Sequence, residues 1–302
     1  MAGLRLPTRD GRTALAIAIA RLSDILFRPL TASGQMSMGK TGSLVCVGLG
    51  MTLGAHLSPR SQSHIEQADL VFAAVSDPLV ELWLQQMHPD VRSLQPFYAE
   101  GKSRHTTYRE MVEAILQEVR AGRRVCGAFY GHPGVFAQAP HQAIEQARRE
   151  GFQAHMEPGI SAEDCLYADL GIDPGRLGCQ HYEASQFMFY QRRIDTSAYL
   201  VLWQVGIAGD RSCSKYATGA ERRQLLVELL AEDYPIDHEV ILYEAATLAI
   251  GAPRMHRLPL RELAAADLHL QTTMVIPPCR PMQENRILIQ KLERLDIVSS
   301  AA

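Results

Sequence analysis

No two of the six cysteines form a C-x-x-C pair. They stand at 46, 126, 165, 179, 213 and 279, which offers no paired-thiolate framework for a structural zinc. Several lie in apolar runs, where a thiol packs as a small hydrophobe; unpaired thiols of this kind point to a reducing compartment, the cytoplasm. Long apolar runs are missing too. The stretch from Ala14 to Ala20 is cut off by Arg21, well short of the roughly 18–20 residues that span a bilayer, so no membrane partner is expected. Nor is there an excess of positive charge. Thirty basic side chains against 33 acidic ones give a net charge of −3, whereas nucleic-acid binders usually carry a basic face. The arginine pairs at 148–149, 192–193 and 222–223 read as solvated helix faces, and no nucleic-acid partner is expected. Two nucleotide signatures also fail. After Gly48-Leu49-Gly50 the next glycine is Gly54, which breaks GxGxxG, and no GxxxxGK[ST] loop occurs.

What remains is a core-forming chain. With 302 residues, 47% hydrophobic and 21% charged, it is long enough for two domains. Residues 1–42 read as a loosely ordered extension; the first 40 hold five arginines and two aspartates, a faint imitation of a targeting peptide. Residues 43–160 alternate strand and helix. Leu44–Val47, Leu70–Val75, Arg124–Tyr130 and Phe152–Met156 read as strands, with helices over Ser58–Ala68 and Pro140–Glu150 and from Thr107 to Gly122. Thr107 and Glu110 have the spacing of a capping box. The rhythm predicts an α/β domain with a largely parallel sheet. Ser161 to Asp164 reads as a helix start, and residues 161–302 predict a second α/β domain, with strands at Tyr199–Trp203, Val240–Tyr243 and Thr273–Ile276 and a helix over Glu221–Ala231.

Three glycine motifs follow strand ends. Gly48-Leu49-Gly50 closes the first strand, Gly131-His132-Pro133-Gly134 closes another, and Pro158-Gly159 follows a third. In open α/β sheets ligands bind at the carboxyl ends of strands. Glycine admits a close backbone approach there, and proline fixes the turn.

In order, GxG, GHPGVF and PGISA, these motifs resemble the tetrapyrrole methylase superfamily over roughly residues 43–280. The resemblance implies two α/β domains with S-adenosylmethionine in the cleft between them, and a homodimer. The usual loop carries Asp where this chain has His132. With "ASQFMF" at Ala184–Phe189 and "LWQ" at Leu202–Gln204, the form is similar to the borosin branch, whose members N-methylate backbone amides of ribosomal peptides. Carried over residue by residue, the resemblance implies catalytic roles for Tyr98, Arg104 and Tyr108. It implies cofactor contacts from Tyr130, His132, Val135, Phe136, Ala162, Gln204, Ala245, Thr272 and Thr273, and no metal.

The residue types suit the reaction. An amide nitrogen is a poor nucleophile because its lone pair is delocalised into the carbonyl. A phenol titrating near ~10 can take its proton if a guanidinium stabilises the phenolate; Arg104 can do that and also polarise the amide oxygen. Tyr98 is the first choice for the base, with Tyr108 donating to the same oxygen, and Tyr108 is the alternative base. Against this stand ordinary structural roles: Tyr108 on an apolar helix face, Arg104 beside a helix start, Tyr98 in an exposed loop, and His132 as a hydrogen-bonded spacer. Because the chain ends soon after its last methylase-like segment, the substrate is expected to be a separate precursor peptide. The alternatives are methylation of a tetrapyrrole, corrinoid or RNA sugar, or a silent cofactor-binding protein.

Overall fold

The computed structural model describes residues 41–75 and 77–300, with side chains in the last helix through residue 296. The reading of residues 1–42 as an extension lies, through residue 40, outside the described residues. From Gly42 onward the chain forms one compact unit holding two five-stranded sheets.

The first sheet consists of β1 (Ser43–Gly48), β2 (Leu70–Ala74), β3 (Val91–Ser93), β4 (Arg124–Phe129) and β5 (Gln153–Met156), in the order β3-β2-β4-β1-β5. Every pairing is parallel. Its inner strands β1, β2 and β4 are largely buried on both faces, as parallel strands between helix layers must be. On one face α1 (Pro59–Gln67) and α2 (Pro78–Met87) pack Ile65 and Leu84 against Val47, Val71 and Ala128. On the other, α3 (Arg104–Arg120) and α4 (Gln138–Arg149) pack Met111, Ile115 and Ile144 against Leu44, Phe72 and Val125.

Local chemistry sets the helix starts. Ser58 caps α1 by accepting the Ser61 amide at 3.0 Å, and Asp77 caps α2 through the Leu79 amide at 2.9 Å. In both a proline takes the first helical position, where its missing N–H costs nothing. The expected capping box at Thr107 is not formed. The helix starts one turn earlier, at Arg104 after Ser103. Thr107 is buried inside the first turn and donates to the Phe97 carbonyl at 3.3 Å. Its apolar surroundings outweigh the local capping preference. Strand β4 stops at Phe129, one residue before the expected end, and α2 and β3 were not anticipated.

The second sheet holds β6 (Cys179–Glu183), β7 (Tyr199–Trp203), β8 (Glu239–Glu244), β9 (Arg254–Pro259) and β10 (Thr273–Ile276), ordered β6-β7-β10-β8-β9. Only β6 and β7 run parallel; the other pairs are antiparallel. Period-2 alternation divides its strands between two cores. Leu200, Leu202, Leu242 and Met274 face α7 (Ala184–Phe189) and α8 (Ala220–Leu230), while Val201, Trp203, Tyr243 and Val275 face α5 (Ala162–Leu170). A short turn of helix, α6 (Pro174–Leu177), leads into β6, and α9 (Arg286–Ser300) follows the sheet. Helix α5 carries a full capping box between Ser161 and Asp164 and ends at Gly171 with φ +64°.

Candidate active site at the strand ends

The loops leaving β1 and β4 meet. The Gly50 amide donates to the Gly131 carbonyl at 3.1 Å, and the Gly131 amide to the Gly50 carbonyl at 2.9 Å. Gly159 presses against the same junction. A Cβ on Gly48 would lie 2.5 Å from the Gly131 oxygen, and one on Gly159 would lie 2.4 Å from it. Backbone packing thus demands glycine in the first and third motifs. The junction sits where the crossovers from β1 and β4 depart over opposite faces of the sheet, the usual place for a ligand.

His132 belongs to this junction. It is partly buried, and its Nδ1 accepts the Gly134 amide at 2.8 Å, so its ring shapes the loop. Val135 follows, its amide bonded to the His132 carbonyl at 3.2 Å. Phe136 is half-exposed with φ +49°, and its ring lies 5.2 Å from that of Trp203. Gln204, next to Trp203, has φ +59°. Left-handed backbone is uncommon outside glycine and costs of order 1–3 kcal/mol, and it clusters at functional sites. Among the described residues the third such position is Cys213, φ +52°, whose carbonyl accepts the Arg104 amide at 2.8 Å. All three border residues assigned to this site.

A hydrogen-bonded chain fixes the aromatic wall. Trp203 Nε1 donates to His181 Nδ1 at 3.1 Å. The neutral ring therefore carries its proton on Nε2, which donates to the Tyr167 hydroxyl at 2.8 Å, and Tyr167 donates to Glu163 at 2.9 Å. Burial lowers the His181 pKa, which favours that neutral form.

The expected catalytic residues come together at the start of α3. The Tyr98 and Tyr108 rings meet edge-to-face at 6.5 Å, and Tyr130, largely exposed, is close enough to influence both phenols. Tyr98 follows a 3₁₀ turn (Gln95–Phe97) and packs against the first core; it is not a freely exposed loop residue. Burial pushes its phenol well up, and the neighbouring Tyr108 and Tyr130 add to this more than Arg104 offsets. Burial raises Tyr108 as well, with Arg104 pulling it back in part.

Arg104 is mostly buried and pre-positioned. Its Nη2 lies 3.7 Å from Asp210 Oδ2, and its Nη1 donates to the Lys215 carbonyl at 3.3 Å. Asp210 went unnoticed in the sequence. It is 4% exposed and accepts the amides of Ser212, Ser214 and Lys215 at 2.9, 3.1 and 3.0 Å. Burial opposes its charge, but those hydrogen bonds hold its pKa below the usual carboxylate range. The Asp-x-Ser-x-Ser run at 210–214 was the available signal.

The remaining assigned positions lie on the second sheet and at α5. Ala162 opens α5 and Ala245 follows β8, both against the core on that side. Thr272 and Thr273 are buried. The Thr272 hydroxyl donates to Glu244 at 2.6 Å, and its carbonyl accepts the Val205 amide at 3.0 Å. Glu244 also receives Arg254 and His269, each at 2.9 Å. Two bonds tie the loop after β1 to the loop after β8: Thr52 Oγ1 to the Ala246 carbonyl at 3.3 Å and the Leu53 amide to the Thr247 carbonyl at 3.0 Å. Between them Gly50, Met51, Tyr130 and Thr247 line a small cavity that also reaches Trp83.

Parallel-sheet loops joined to a second sheet, with aromatic and guanidinium groups at the seam, form a candidate ligand site in an α/β protein of two sheets. A family model, Tetrapyrrole (Corrin/Porphyrin) Methylases, matches residues 43–264, and the chain belongs to that family; by family it is a methyltransferase. Among curated proteins it is similar to a methyltransferase/ribosomally synthesized cyclic peptide gymnopeptides precursor of Gymnopus fusipes, 39% identical over 85% of this chain. A type I borosin cyclic peptide precursor methyltransferase of Coprinopsis marcescibilis is 38% identical over 86% of this chain and 68% of its own length. The chain spans 62% of the length of the Gymnopus fusipes relative. Among solved structures, a cobalt precorrin-4 methyltransferase superposes with a TM-score of 0.57 at 17% identity, covering 81% of this chain and 98% of that one. A uroporphyrin-III-C-methyltransferase from Thermus thermophilus gives 0.53 at 19%, covering 79% and 93%. These two likenesses concern the fold.

Proposed function

We propose that this chain transfers the methyl group of S-adenosylmethionine to backbone amide nitrogens of a ribosomal precursor peptide carried on a separate chain. The observation that carries the reading is the cluster of Tyr98, Arg104, Tyr108 and Tyr130 beside the three glycine loops. The names of the similar proteins, which join a methyltransferase to a cyclic peptide precursor, support the substrate class.

The residues present suit the cofactor. When bound it supplies a methyl group on a sulfonium, with a neutral thioether as leaving group. The open face of Phe136, backed by Trp203, suits an adenine ring, and the left-handed backbones at Phe136 and Gln204 place main-chain polar groups beside it. Tyr130, His132, Val135, Ala162, Ala245, Thr272 and Thr273 complete the proposed contacts, with Thr272 acting mainly by holding Glu244.

In this reading Arg104, steadied by Asp210, faces the substrate carbonyl and stabilises the negative charge that grows on its oxygen as the N–H is lost. Tyr108, as the phenolate, takes that proton and becomes the neutral phenol, with the Tyr98 ring beside it. We take Tyr108 as the base ahead of Tyr98, because Arg104 is the leading offset to burial at Tyr108 and the last at Tyr98.

Calorimetry with S-adenosylmethionine tests cofactor binding, and mass spectrometry of a candidate precursor peptide tests transfer. Stepwise gain of methyl groups on backbone nitrogens is expected. Methylation of a corrinoid or porphyrin with no peptide product overturns the substrate reading, and absence of cofactor binding overturns the whole.

A further inference from the structure

One polar cluster lies outside the site just described. His64 on α1, His155 on β5 and Glu157 just beyond β5 turn their ligand atoms toward one point, all within 4.8 Å of one another. His155 Nε2 lies 3.2 Å from Glu157 Oε1, and His64 Nε2 lies 3.6 Å from it. In a tetrahedral zinc site with bonds of about 2.0–2.2 Å, neighbouring ligand atoms stand roughly 3.4 Å apart. The three are therefore spaced as ligands with little rearrangement. Glu157 is 7% exposed, and its backbone is pinned by donation to the Cys46 carbonyl at 2.8 Å. The His155 ring is about half-exposed, which leaves an open side for water as a further ligand.

Arg60 completes the arrangement. It is one helical turn before His64, and its Nη2 lies 2.9 Å from the same Glu157 oxygen. A buried carboxylate needs a cation, and here Arg60 provides it from a half-exposed position from which it can swing into solvent.

We propose that His64, His155 and Glu157 form a divalent zinc-class site, in which the ion displaces Arg60 from Glu157 and clasps α1 to the edge strand β5. Two imidazoles and one carboxylate are a ligand set suited to zinc. No thiolate pair is needed, which is why cysteine spacing could not show it. The clasp lies immediately before Pro158-Gly159, so the ion braces the start of the loop that packs on Gly48 and Gly131. The site does not depend on the proposed peptide chemistry.

The test uses the untagged full chain, stripped with a chelator, dialysed and titrated with zinc chloride by calorimetry, with elemental analysis for stoichiometry. One zinc per chain is expected, with a rise in melting temperature. His64→Ala and His155→Ala should each weaken binding by at least about tenfold. Arg60→Met removes the competing cation and should tighten binding severalfold, an effect that misfolding cannot imitate. Absence of zinc binding by the wild-type chain overturns the proposal. So does zinc held with unchanged affinity by the His64→Ala/His155→Ala double variant, because the ion then sits elsewhere, on the cysteines for example. Equal affinity in the Arg60→Met variant overturns the displacement of Arg60.

Discussion

At the scale of single residues, the proposed site divides into groups assigned to react and groups that hold them. Tyr108→Phe removes one hydroxyl from a ring that also packs in the core, so the fold should survive while peptide methylation falls. Arg104→Lys keeps the charge but loses the planar fork that reaches both Asp210 and the Lys215 carbonyl. Loss of an oxyanion-type donor costs on the order of 100- to 1000-fold in rate, and each variant should fall in that range with cofactor affinity unchanged. Near-normal methylation by both would make them structural residues. Tyr98→Phe should be the milder change if Tyr108 is the base; a Tyr98→Phe enzyme slower than Tyr108→Phe would return the base to Tyr98. Gly159→Ala tests the packing of the loops. Its Cβ would lie 2.4 Å from a backbone oxygen, so the loops must part, at a cost of about 1–3 kcal/mol by urea denaturation. An alanine variant as stable as wild type would show that the junction yields freely. The residue types of this site were legible through family motifs. Asp210 was not read, although the Asp-x-Ser-x-Ser run carried a signal, because its importance lies in what it accepts from three amides and an arginine.

At the scale of elements, the Glu244 network shows how β8, β9 and β10 are pinned beside the cleft. Burial opposes ionisation of Glu244, yet hydrogen bonds from Thr272, His269 and Arg254 together hold its pKa below the ordinary glutamate value. The groups facing it are Arg254, His269, Gln271 and Thr272, with Asp267 behind Arg254. A carboxylate with a depressed folded pKa stabilises fully above the unfolded value of about 4.3, and that contribution is lost as pH falls through the lower folded value. Glu244→Gln should therefore destabilise near neutrality by roughly 1–3 kcal/mol. The gap to wild type should close as pH is lowered from about 5 toward 3, measured by denaturation at each pH. A gap independent of pH would mean that Glu244 acts through its shape alone. β1, β2, β4 and β5 fall within a residue or two of their expected bounds; β1, β2 and β4 read as short apolar runs because they are largely buried. β6 was hidden, since Cys179–Glu183 is half-buried throughout and carries polar side chains. β9 was hidden for the same reason: it is an edge strand, exposed along most of its length. The start of α3 was misread because Thr107 looks like a cap and is buried instead.

At the scale of the whole molecule, the remaining apolar surface bears on self-association. The stretch Glu183–Tyr190 holds three aromatic side chains. The fold absorbs half of it: Ala184, Ser185 and Phe187 are buried, while Phe189 and Tyr190 stay 44% and 62% exposed. A larger patch lies on α9, where Leu288, Leu292 and Leu295 follow one another at helical spacing, flanked by Ile287, and all four are at least 51% exposed. An apolar stripe of that periodicity is what a helix presents to a partner surface. We propose that a second copy of the chain covers it. Stable association generally buries on the order of 1,200–2,000 Å² in all. The stripe alone supplies only part of that, so Phe189 and Tyr190 are expected within the same interface. Light scattering behind size exclusion should report a dimer at micromolar concentration. Leu288→Asp/Leu292→Asp should shift it to monomer while circular dichroism stays unchanged, because these side chains contribute little to the core. A wild-type monomer would sink self-association altogether, and a double variant that remains dimeric would remove α9 from the interface.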